Sequence, residues 1–165
     1  MALLNFAYGS NMLSARLLQR VAGAKPVGIA VLRGHALRWH KVAKDGSAKC
    51  DIVVAEDDSV VHGVLYEIPP DEKKNLDQAE GLGFGYEEKE VSVEVRNGTH
   101  KATAYYATNI DLGILPFTWY KALVVSGAVE HGLPPEYVRG LRGIEAKQDP
   151  NAQRHAQNMA LAGEA

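Results

Sequence analysis

The sequence predicts an α+β fold, with strands in the first two thirds of the chain and helices in the last third. Short apolar segments rich in β-branched residues recur along the first part, whereas longer segments with helical spacing follow them. Several connections between the strands have the composition of hairpin turns, which join antiparallel neighbours. We therefore expect a largely antiparallel or mixed sheet that can close into a barrel.

Length, composition and charge predict one globular domain that binds a small molecule or another protein. The chain has 165 residues, of which 46% are hydrophobic and 23% charged, which is enough for a sizeable core. The formal net charge of −2 does not favour nucleic acid or an anionic membrane as a partner, because both attract basic surfaces. We expect the domain to span 1–149, followed by a tail over 150–165 that is either a loosely packed helix or disordered.

The chemistry-bearing residue types predict a cytoplasmic protein without a metal. Cys50 is the single cysteine, so no internal disulfide can form and a reducing compartment is expected. The first ten residues lack the basic and apolar regions of a signal peptide, and no apolar run is long enough to span a membrane. Six histidines are scattered without metal-ligand spacing, so we expect no metal site.

The first third of the chain reads as strand, turn, helix and strand. Residues 3–8 predict a buried strand, and the Gly-Ser-Asn that follows suits a tight turn. The segment 13–21 has helical spacing. The segment 27–42 mixes alternation with two glycines and predicts either one bent strand or a pair of strands.

The middle of the chain predicts a hairpin followed by a short helix. The apolar segments 51–55 and 60–68 flank the acidic turn 56–59, so we expect them to pair. After two prolines, the segment 72–80 has the composition of a helix of about two turns. Gly81 follows as a typical helix C-terminal residue.

A second hairpin and the later helices complete the prediction. Alternating valines in 86–95 predict a strand, and the Asn-Gly at 97–98 is a strong hairpin signal that joins it to 100–108. Helical signals cover 117–131. A further helix over 135–147 opens with proline at its first position, where proline is tolerated.

The turn at Gly9, Ser10 and Asn11 is a candidate binding site. A loop that enters a helix presents N–H groups without intrahelical partners, and the helix dipole adds partial positive charge there. Such a loop binds anions, including carboxylates. The alternative is that these residues only make a turn and cap a helix.

Glu80 is the candidate general base. It stands in the last turn of the predicted helix at 72–80, where its charge opposes the helix dipole and its neutral form is favoured. Proton transfer is most effective when the pKa of a base approaches the working pH. The alternative is a solvated charge at a frayed helix end. Asp77, three residues earlier, can face the same side.

The order of several sequence blocks resembles the γ-glutamylcyclotransferase family. "FAYGSNM" near the N-terminus precedes "LDQAEG" by about seventy residues, and a tyrosine, a V-x-V strand, "AYYATN", "WYKALVVSGA" and "GLPPEYVRGL" follow in order. The resemblance covers Asn5 to about Leu141. It implies a small mixed or antiparallel β-barrel flanked by helices, with one active site and no metal or organic cofactor.

The resemblance also implies a reaction and the residues that perform it. The free α-amine of a γ-glutamyl substrate attacks its own γ-carbonyl, which releases an amine or amino acid and 5-oxoproline. The residue before glycine in the family's "LD..EG" block is its catalytic acid and base, and this residue is Glu80 here. The resemblance places the other candidates in the substrate site: Tyr8, Gly9, Ser10, Asn11, Met12, Tyr86, Tyr105 and Tyr120.

The substrate class, the activity and the oligomeric state stay open at the level of sequence. The Gly-Ser-Asn-Met loop resembles members that act on γ-glutamyl amino acids more than those that act on γ-glutamylamines. A non-catalytic sensor of a glutamyl-bearing metabolite, or an enzyme that removes a γ-glutamyl cap from a biosynthetic intermediate, would carry the same loop. The apolar "ALVVSGAV" segment suits burial in the core or in a homodimer.

Overall fold

The computed structural model describes residues 2–163, and its strands form a closed five-stranded barrel and a separate two-stranded hairpin. The strands are β1 (Leu3–Ala7), β2 (Lys25–Arg33), β3 (His35–Val42), β4 (Ala48–Val54), β5 (Val60–Ile68), β6 (Tyr86–Val95) and β7 (Gly98–Ala107). The helices are α1 (Ser14–Arg20), α2 (Lys73–Glu80), α3 (Thr118–His131), α4 (Pro135–Arg142) and α5 (Ala152–Leu161). The predicted α+β class is confirmed.

The barrel closes in the order β1, β5, β2, β6, β7. Neighbouring strands are antiparallel, except that β1 meets β7 in parallel with Asn5 opposite Thr103. The Asn5 side chain donates to the Thr103 carbonyl at 3.3 Å and helps to close the barrel. The β6–β7 hairpin turns at the predicted Asn-Gly, where Gly98 has φ 132°. The barrel is therefore mixed, within the range that the sequence predicts.

The predicted hairpin between 51–55 and 60–68 is wrong. β4 pairs with β3, whereas β5 pairs with β1 on one edge and β2 on the other. Most residues of β5 are buried on both faces, and a strand in that position needs a neighbour on each edge. β2 and β5 therefore form one long hairpin, and the β3–β4 hairpin is nested at its tip.

Gly34 lies where the chain leaves the barrel. Its N–H donates to the Ser59 carbonyl and its own carbonyl accepts from the Ala55 N–H, both at 2.8 Å. Its φ of 71° is in the left-handed region that glycine adopts without strain. The segment 27–42 thus contains two strands, as one of the predicted alternatives required, but they belong to different sheets.

A β-bulge interrupts β3 at His40. The register with β4 shifts between Trp39 and Lys41, and the consecutive residues His40 and Lys41 are both buried. A bulge adds one residue to a strand and redirects the side chains beside it. His40 Nε2 is hydrogen-bonded to Asp51 at 2.7 Å, and Asp51 also accepts from the Ala107 N–H at 2.8 Å. These bonds attach the nested hairpin to the end of β7.

The helices α2 and α3 end where the sequence predicts. Gly81 and Gly132 follow them with φ of 74° and 75°, as expected for glycine C-caps. α3 buries most of its apolar residues in the core of this chain. It also passes close to the end of the Gly-Ser-Asn turn, since a Cβ on Gly127 would lie 2.6 Å from the Leu13 nitrogen.

The C-terminal region differs in detail from the prediction. α4 ends at Arg142, earlier than the predicted 147, because the backbone of Lys147 pairs instead with Pro116 and Thr118. The region after 150 contains α5, which the Asn151 side chain caps by accepting from the Arg154 N–H at 3.0 Å. Within residues 2–163, no helix has both the length and the apolar character needed to cross a membrane.

Candidate active site

A cavity of about 340 Å³ lies at one end of the barrel, between α1, α2 and the β3–β4 hairpin. It brings together residues that are far apart in the sequence. Eight of the nine predicted site residues line it: Tyr8, Gly9, Ser10, Asn11, Glu80, Tyr86, Tyr105 and Tyr120. The fold therefore gathers nearly the whole predicted set into one space.

The Gly-Ser-Asn turn lines the cavity with backbone. It forms a single 3-10 turn over Ser10–Met12 immediately after β1. Among residues 2–163, no hydrogen-bond acceptor is found for the N–H groups of Gly9, Ser10 and Asn11. Gly9 allows a close approach, because a Cβ there would lie 3.0 Å from the Tyr120 hydroxyl and 3.3 Å from Cys50 Cβ. The turn can thus offer consecutive donors to an oxyanion or a carboxylate.

Met12 is the predicted site residue that does not line the cavity. Its side chain is fully buried, and its Cβ lies 2.8 Å from where a Cβ on Gly127 would be. The turn reverses direction after Asn11, so Met12 points into the core under α3. Met12 therefore packs behind the turn and does not line the cavity, and its role in the substrate site stays a prediction.

Glu80 occupies the end of α2 that faces the cavity. Leu76 is fully buried and fixes the helix on the core, while Gly81 and Leu82 donate to carbonyls of the last helical turn at 3.1 and 2.9 Å. The Glu80 side chain is 21% exposed, and its carboxylate lies 3.6 Å from the Arg20 guanidinium. Arg20 also donates to the Asn11 side chain at 2.9 Å. One arginine thus connects the candidate base to the turn.

Burial raises the pKa of Glu80 above its ordinary value. The charges of Arg20, Arg16, Lys41 and Lys49 act in the opposite direction and keep the carboxylate form accessible. The sequence prediction named the helix dipole as the cause of a raised pKa, whereas in the structure the main cause is removal from water. A carboxylate with a raised pKa, in a cavity that admits a ligand, is suited to general acid and base catalysis.

The tyrosine hydroxyls are already engaged by the protein. Tyr86 donates to the Cys50 carbonyl at 2.6 Å, and Tyr120 accepts from the Cys50 N–H at 3.0 Å. Tyr8 donates to the Tyr105 carbonyl, and the Tyr105 hydroxyl donates to Asp77. These side chains therefore face the cavity mainly with their rings, and their hydroxyls hold β4, β7 and α2 in place.

Asp77, considered as a companion of Glu80, has a structural position. Its carboxylate accepts from Tyr105 and from the Lys73 ammonium, the latter at 2.6 Å. It is not among the residues that line the cavity. The hydrogen bond from Tyr105 to Asp77 thus links β7 to α2 and orients the helix that carries Glu80.

Sequence reasoning missed the positive charge of the site. Arg16, Arg20, Lys41 and Lys49 line the cavity. Arg16 and Arg20 are four residues apart on α1, and this spacing, which places both on one helix face, is a signal that the sequence contained. Lys41 and Lys49 left no comparable signal, because they meet only through the pairing of β3 with β4.

Arg16 and Lys49 lie at the end of the cavity next to the turn. The Lys49 ammonium is 4.9 Å from the ring centroids of both Trp119 and Tyr120, and it contacts Asp45 at 3.3 Å. Arg16 stacks over Trp119 at 6.0 Å. Burial lowers the pKa of Arg16 to about 10, and its Nε is buried without a hydrogen-bond partner among the described residues.

Cys50 and the histidines show no arrangement for nucleophilic or metal chemistry. Burial raises the pKa of the Cys50 thiol to about 12, so it is a poor nucleophile near neutral pH. In the described part of the chain, no group of three or more His, Cys, Asp or Glu side chains could hold a metal ion. Besides its aromatic rings, the cavity presents a carboxylate, backbone donors and cations to a ligand.

Comparison with known proteins identifies relatives with the same fold. The model of the AIG2-like family matches residues 60–141. The chain is 30% identical to bovine γ-glutamylcyclotransferase over 148 residues, which cover 86% of this chain and 78% of that protein. It is 31% identical to the mouse γ-glutamylcyclotransferase over 158 residues, covering 88% and 80%.

Solved structures support the same relationship. A γ-glutamyl cyclotransferase structure superposes with a TM-score of 0.87 at 25% identity and covers the whole of both chains. A human protein described as loc79017 superposes with a TM-score of 0.81 at 28% identity, covering 93% of this chain and 96% of that one. The chain belongs to the γ-glutamylcyclotransferase family and is an enzyme of that kind.

Proposed function

We propose that the chain releases 5-oxoproline from a γ-glutamyl substrate in this cavity, with Glu80 as general acid and base. One observation carries the proposal: the same cavity is lined by the Glu80 carboxylate and by Gly9, Ser10 and Asn11, whose N–H groups have no acceptor within residues 2–163. A base and a set of oxyanion donors are the groups that an intramolecular amide cleavage requires.

The proposed reaction balances without a cofactor. Glu80 takes a proton from the α-ammonium of the substrate, and the free amine attacks the γ-carbonyl carbon to form the C–N bond of the lactam. The γ-amide bond then breaks, and Glu80 returns the proton to the leaving nitrogen. Over the whole reaction the attacking nitrogen loses two protons and the leaving amine gains two, so it departs as an ammonium.

The substrate supplies its own nucleophile, so the protein contributes mainly position and electrostatics. Holding the amine and the carbonyl in a near-attack geometry removes a large entropic part of the barrier. The backbone donors of the turn at 9–11 stabilise the oxyanion that forms at the γ-carbonyl. Arg16 and Lys49, next to the turn, supply positive charge for the α-carboxylate of the glutamyl group.

The first experiment measures 5-oxoproline release from γ-glutamyl amino acids, a γ-glutamylamine and glutathione. Wild type is compared with Glu80→Gln, which keeps the shape of the side chain and removes its basicity. We expect a loss of about 100- to 10,000-fold in kcat, the range typical of a general base. Glu136→Gln, at an exposed glutamate on α4, is the matched control and should retain the wild-type rate.

The outcomes separate the proposal from its alternatives. Lactam formation that is lost in Glu80→Gln, while the variant still binds substrate, supports cyclotransfer with Glu80 as the base. Full activity in Glu80→Gln would overturn the assignment of the base. If wild type binds a γ-glutamyl compound but forms no lactam from any member of the panel, a sensor or an enzyme for a γ-glutamyl-capped intermediate accounts better for the site.

A further inference from the structure

We propose that Lys41 determines which leaving group the enzyme accepts, by binding the carboxylate of a leaving amino acid. The assignment rests on the proposed cyclotransfer reaction and adds a specificity residue to it. It predicts that the enzyme prefers a γ-glutamyl amino acid over the corresponding γ-glutamylamine because of a single side chain on the β3–β4 hairpin.

Lys41 faces the cavity without a counter-ion in the part of the chain that the structure describes. The residue is 8% exposed and lines the cavity. Its ammonium lies 4.6 Å from the centroid of the Tyr86 ring. None of the carboxylates in residues 2–163 forms an ion pair with it, and no hydrogen bond to a described residue satisfies its donors.

The Lys41 ammonium is partly withdrawn from water and faces the cavity, where an anion can bind beside it. Removing an ammonium from water costs free energy that a ring face recovers only in part. Burial accordingly lowers the pKa of Lys41, while the charge of Glu80 opposes that shift. A ligand carboxylate would form a charge-assisted hydrogen bond with this ammonium.

The surroundings of Lys41 assign it to the leaving-group end of the cavity. Its Nζ lies 3.2 Å from where a Cβ on Gly85 would be, and its backbone bridges to Ile110. The adjacent Phe84 lines the cavity and is 84% exposed, which marks this side as the mouth. The turn at 9–11 meets the fully enclosed Cys50 and Tyr120 at the other end.

The two ends of the cavity therefore carry separate positive charges. Arg16 and Lys49 lie beside the turn that would hold the glutamyl group, and Lys41 lies beside the mouth through which a released amine would leave. A γ-glutamyl dipeptide carries one carboxylate at each end, whereas a γ-glutamylamine carries only the first. The charge distribution thus matches the dipeptide.

The β-bulge at His40 is what directs Lys41 into this position. In a regular strand, neighbouring side chains alternate between faces, so one of His40 and Lys41 would face away from the buried side. The shift in register places both in buried positions. His40 is hydrogen-bonded to Asp51, while the side chain of Lys41 lines the cavity.

The test uses a pair of substrates that differ only in the carboxylate at issue. γ-L-Glutamyl-L-alanine releases alanine, and γ-L-glutamylethylamine releases ethylamine, which is alanine without its carboxylate. We expect wild type to prefer the dipeptide in kcat/KM by roughly 10- to 100-fold, as for a hydrogen bond to a charged group. Lys41→Met should lose most of this preference, measured at a pH above the acid limb of both proteins, where the effect of Lys41 on the pKa of Glu80 no longer changes the rate.

Two controls accompany the variant. Lys101→Met removes the same charge from an exposed position on β7 and should keep the wild-type preference. Lys41→Gln provides a second replacement in case Lys41→Met folds poorly, as judged by its thermal unfolding.

Each result decides the proposal. Equal wild-type activity on the two substrates would overturn it without any variant. An equal loss on both substrates in Lys41→Met and Lys41→Gln would also overturn it, since Lys41 would then act on the glutamyl group or on the fold. If wild type forms no lactam from either substrate, or from the wider panel, cyclotransfer itself fails, which is a different outcome from a missing preference.

Discussion

The two walls of the cavity differ in how their side chains are paired. The barrel wall carries Tyr8, the turn at 9–11, Glu80 and Tyr105, and the hairpin wall, formed by β3 and β4, carries Lys41 and Lys49. On the barrel side, the hydroxyls of Tyr8 and Tyr105 bond to protein groups, and Glu80 lies beside an arginine that also holds the turn. On the hairpin side, Lys41 has no counter-ion among the described residues, although Lys49 contacts Asp45. The side chains of the first wall are held by protein partners before any ligand binds, and only the N–H groups of the turn at 9–11 are left for a ligand. On the hairpin side, the charged group of Lys41 itself is left without a described partner.

This difference indicates a division of labour. Catalytic groups act best when their positions are fixed in advance, because reorganisation during the reaction raises the barrier. A group that recognises a ligand gains most when its own partner is supplied by that ligand. The barrel wall, together with Lys49, suits the chemistry common to γ-glutamyl substrates, and Lys41 on the hairpin wall suits the part of the substrate that varies.

The largest expected effect comes from detaching the hairpin wall. Asp51→Ala removes the partner of His40 and the acceptor of the Ala107 N–H, and leaves both groups buried. We expect a loss of about 3 kcal/mol in the free energy of unfolding, as for a broken buried pair, measured by urea denaturation. Asp58→Ala, in the exposed acidic turn, is the control and should unfold like wild type.

The same variant tests whether the walls act separately. Folded Asp51→Ala should lose preference for γ-glutamylalanine over γ-glutamylethylamine more than it loses activity on the latter. If both substrates suffer equally while the fold is intact, the hairpin supports the whole site and the division between the walls is wrong.

The next effect is confined to the barrel wall. Gly9→Ala introduces a methyl group 3.0 Å from the Tyr120 hydroxyl and 3.3 Å from Cys50 Cβ, so we expect the backbone donors of the turn to shift away from these neighbours. We expect kcat/KM to fall by about 100-fold for all substrates, as for a small misplacement of catalytic groups. Gly28→Ala is the control, because a Cβ at that position meets nothing within 4 Å.

Unchanged activity in Gly9→Ala would show that the turn tolerates displacement and would remove it from the catalytic machinery. A loss restricted to γ-glutamylalanine would contradict the comparison of the two walls, because the turn would then recognise the leaving group.

Local signals predicted the barrel wall better than the hairpin wall. The helix that ends at Glu80 and the turn after β1 each depend on residues adjacent in the sequence, so composition and capping rules apply to them. The pairing of β3 with β4 depends on which of several similar apolar strands becomes central in the barrel. The sequence favoured the nearest partner, and the burial of β5 between β1 and β2 overrode that choice.

The bulge at His40 explains why Lys41 was missed. Period-2 alternation assigns neighbouring residues to opposite faces, and no turn residue or glycine marks the irregularity in "RWHKV". Arg16 and Arg20 were detectable from their spacing on α1, but their contribution to the site depends on the docking of α1 beside α2. The family resemblance supplied the site residues that local rules left open.

A smaller effect is expected from the support behind the turn. Gly127→Ala places a methyl group 2.6 Å from the Leu13 nitrogen and 2.8 Å from Met12 Cβ. We expect a loss of about 1 to 3 kcal/mol in the free energy of unfolding, as for overpacking, together with reduced activity on every substrate. Gly140→Ala, at an exposed helical position with nothing within 4 Å, should be neutral or stabilise the protein by up to about 1 kcal/mol.

The outcome at Gly127 bears on the role given to Met12. A variant that loses stability but retains the full rate per folded molecule would mean that the packing of Met12 does not set the position of the turn. The barrel wall would then owe its order to the hydrogen bonds of Arg20 and the tyrosines alone.

The smallest effect is a shift in pH dependence. Glu80 accepts a proton only as a carboxylate, so kcat/KM rises with pH as Glu80 loses its proton. Arg20 is the cation that most strongly lowers the raised pKa of Glu80. Arg20→Met should therefore raise this pKa further and move the acid limb of the kcat/KM profile to higher pH, measured with γ-glutamylethylamine to leave out the proposed contact with Lys41.

Arg20→Lys and Lys74→Met sharpen this result. Arg20→Lys retains a positive charge near Glu80 and should move the acid limb less than Arg20→Met does, although both variants lose the guanidinium hydrogen bond to Asn11. Lys74→Met removes an exposed charge from the same helix as Glu80 and should leave the limb in place, since exposed charges are screened by salt. An acid limb that stays fixed in Arg20→Met would mean that another group controls it, and the barrel wall would then lack its proposed base.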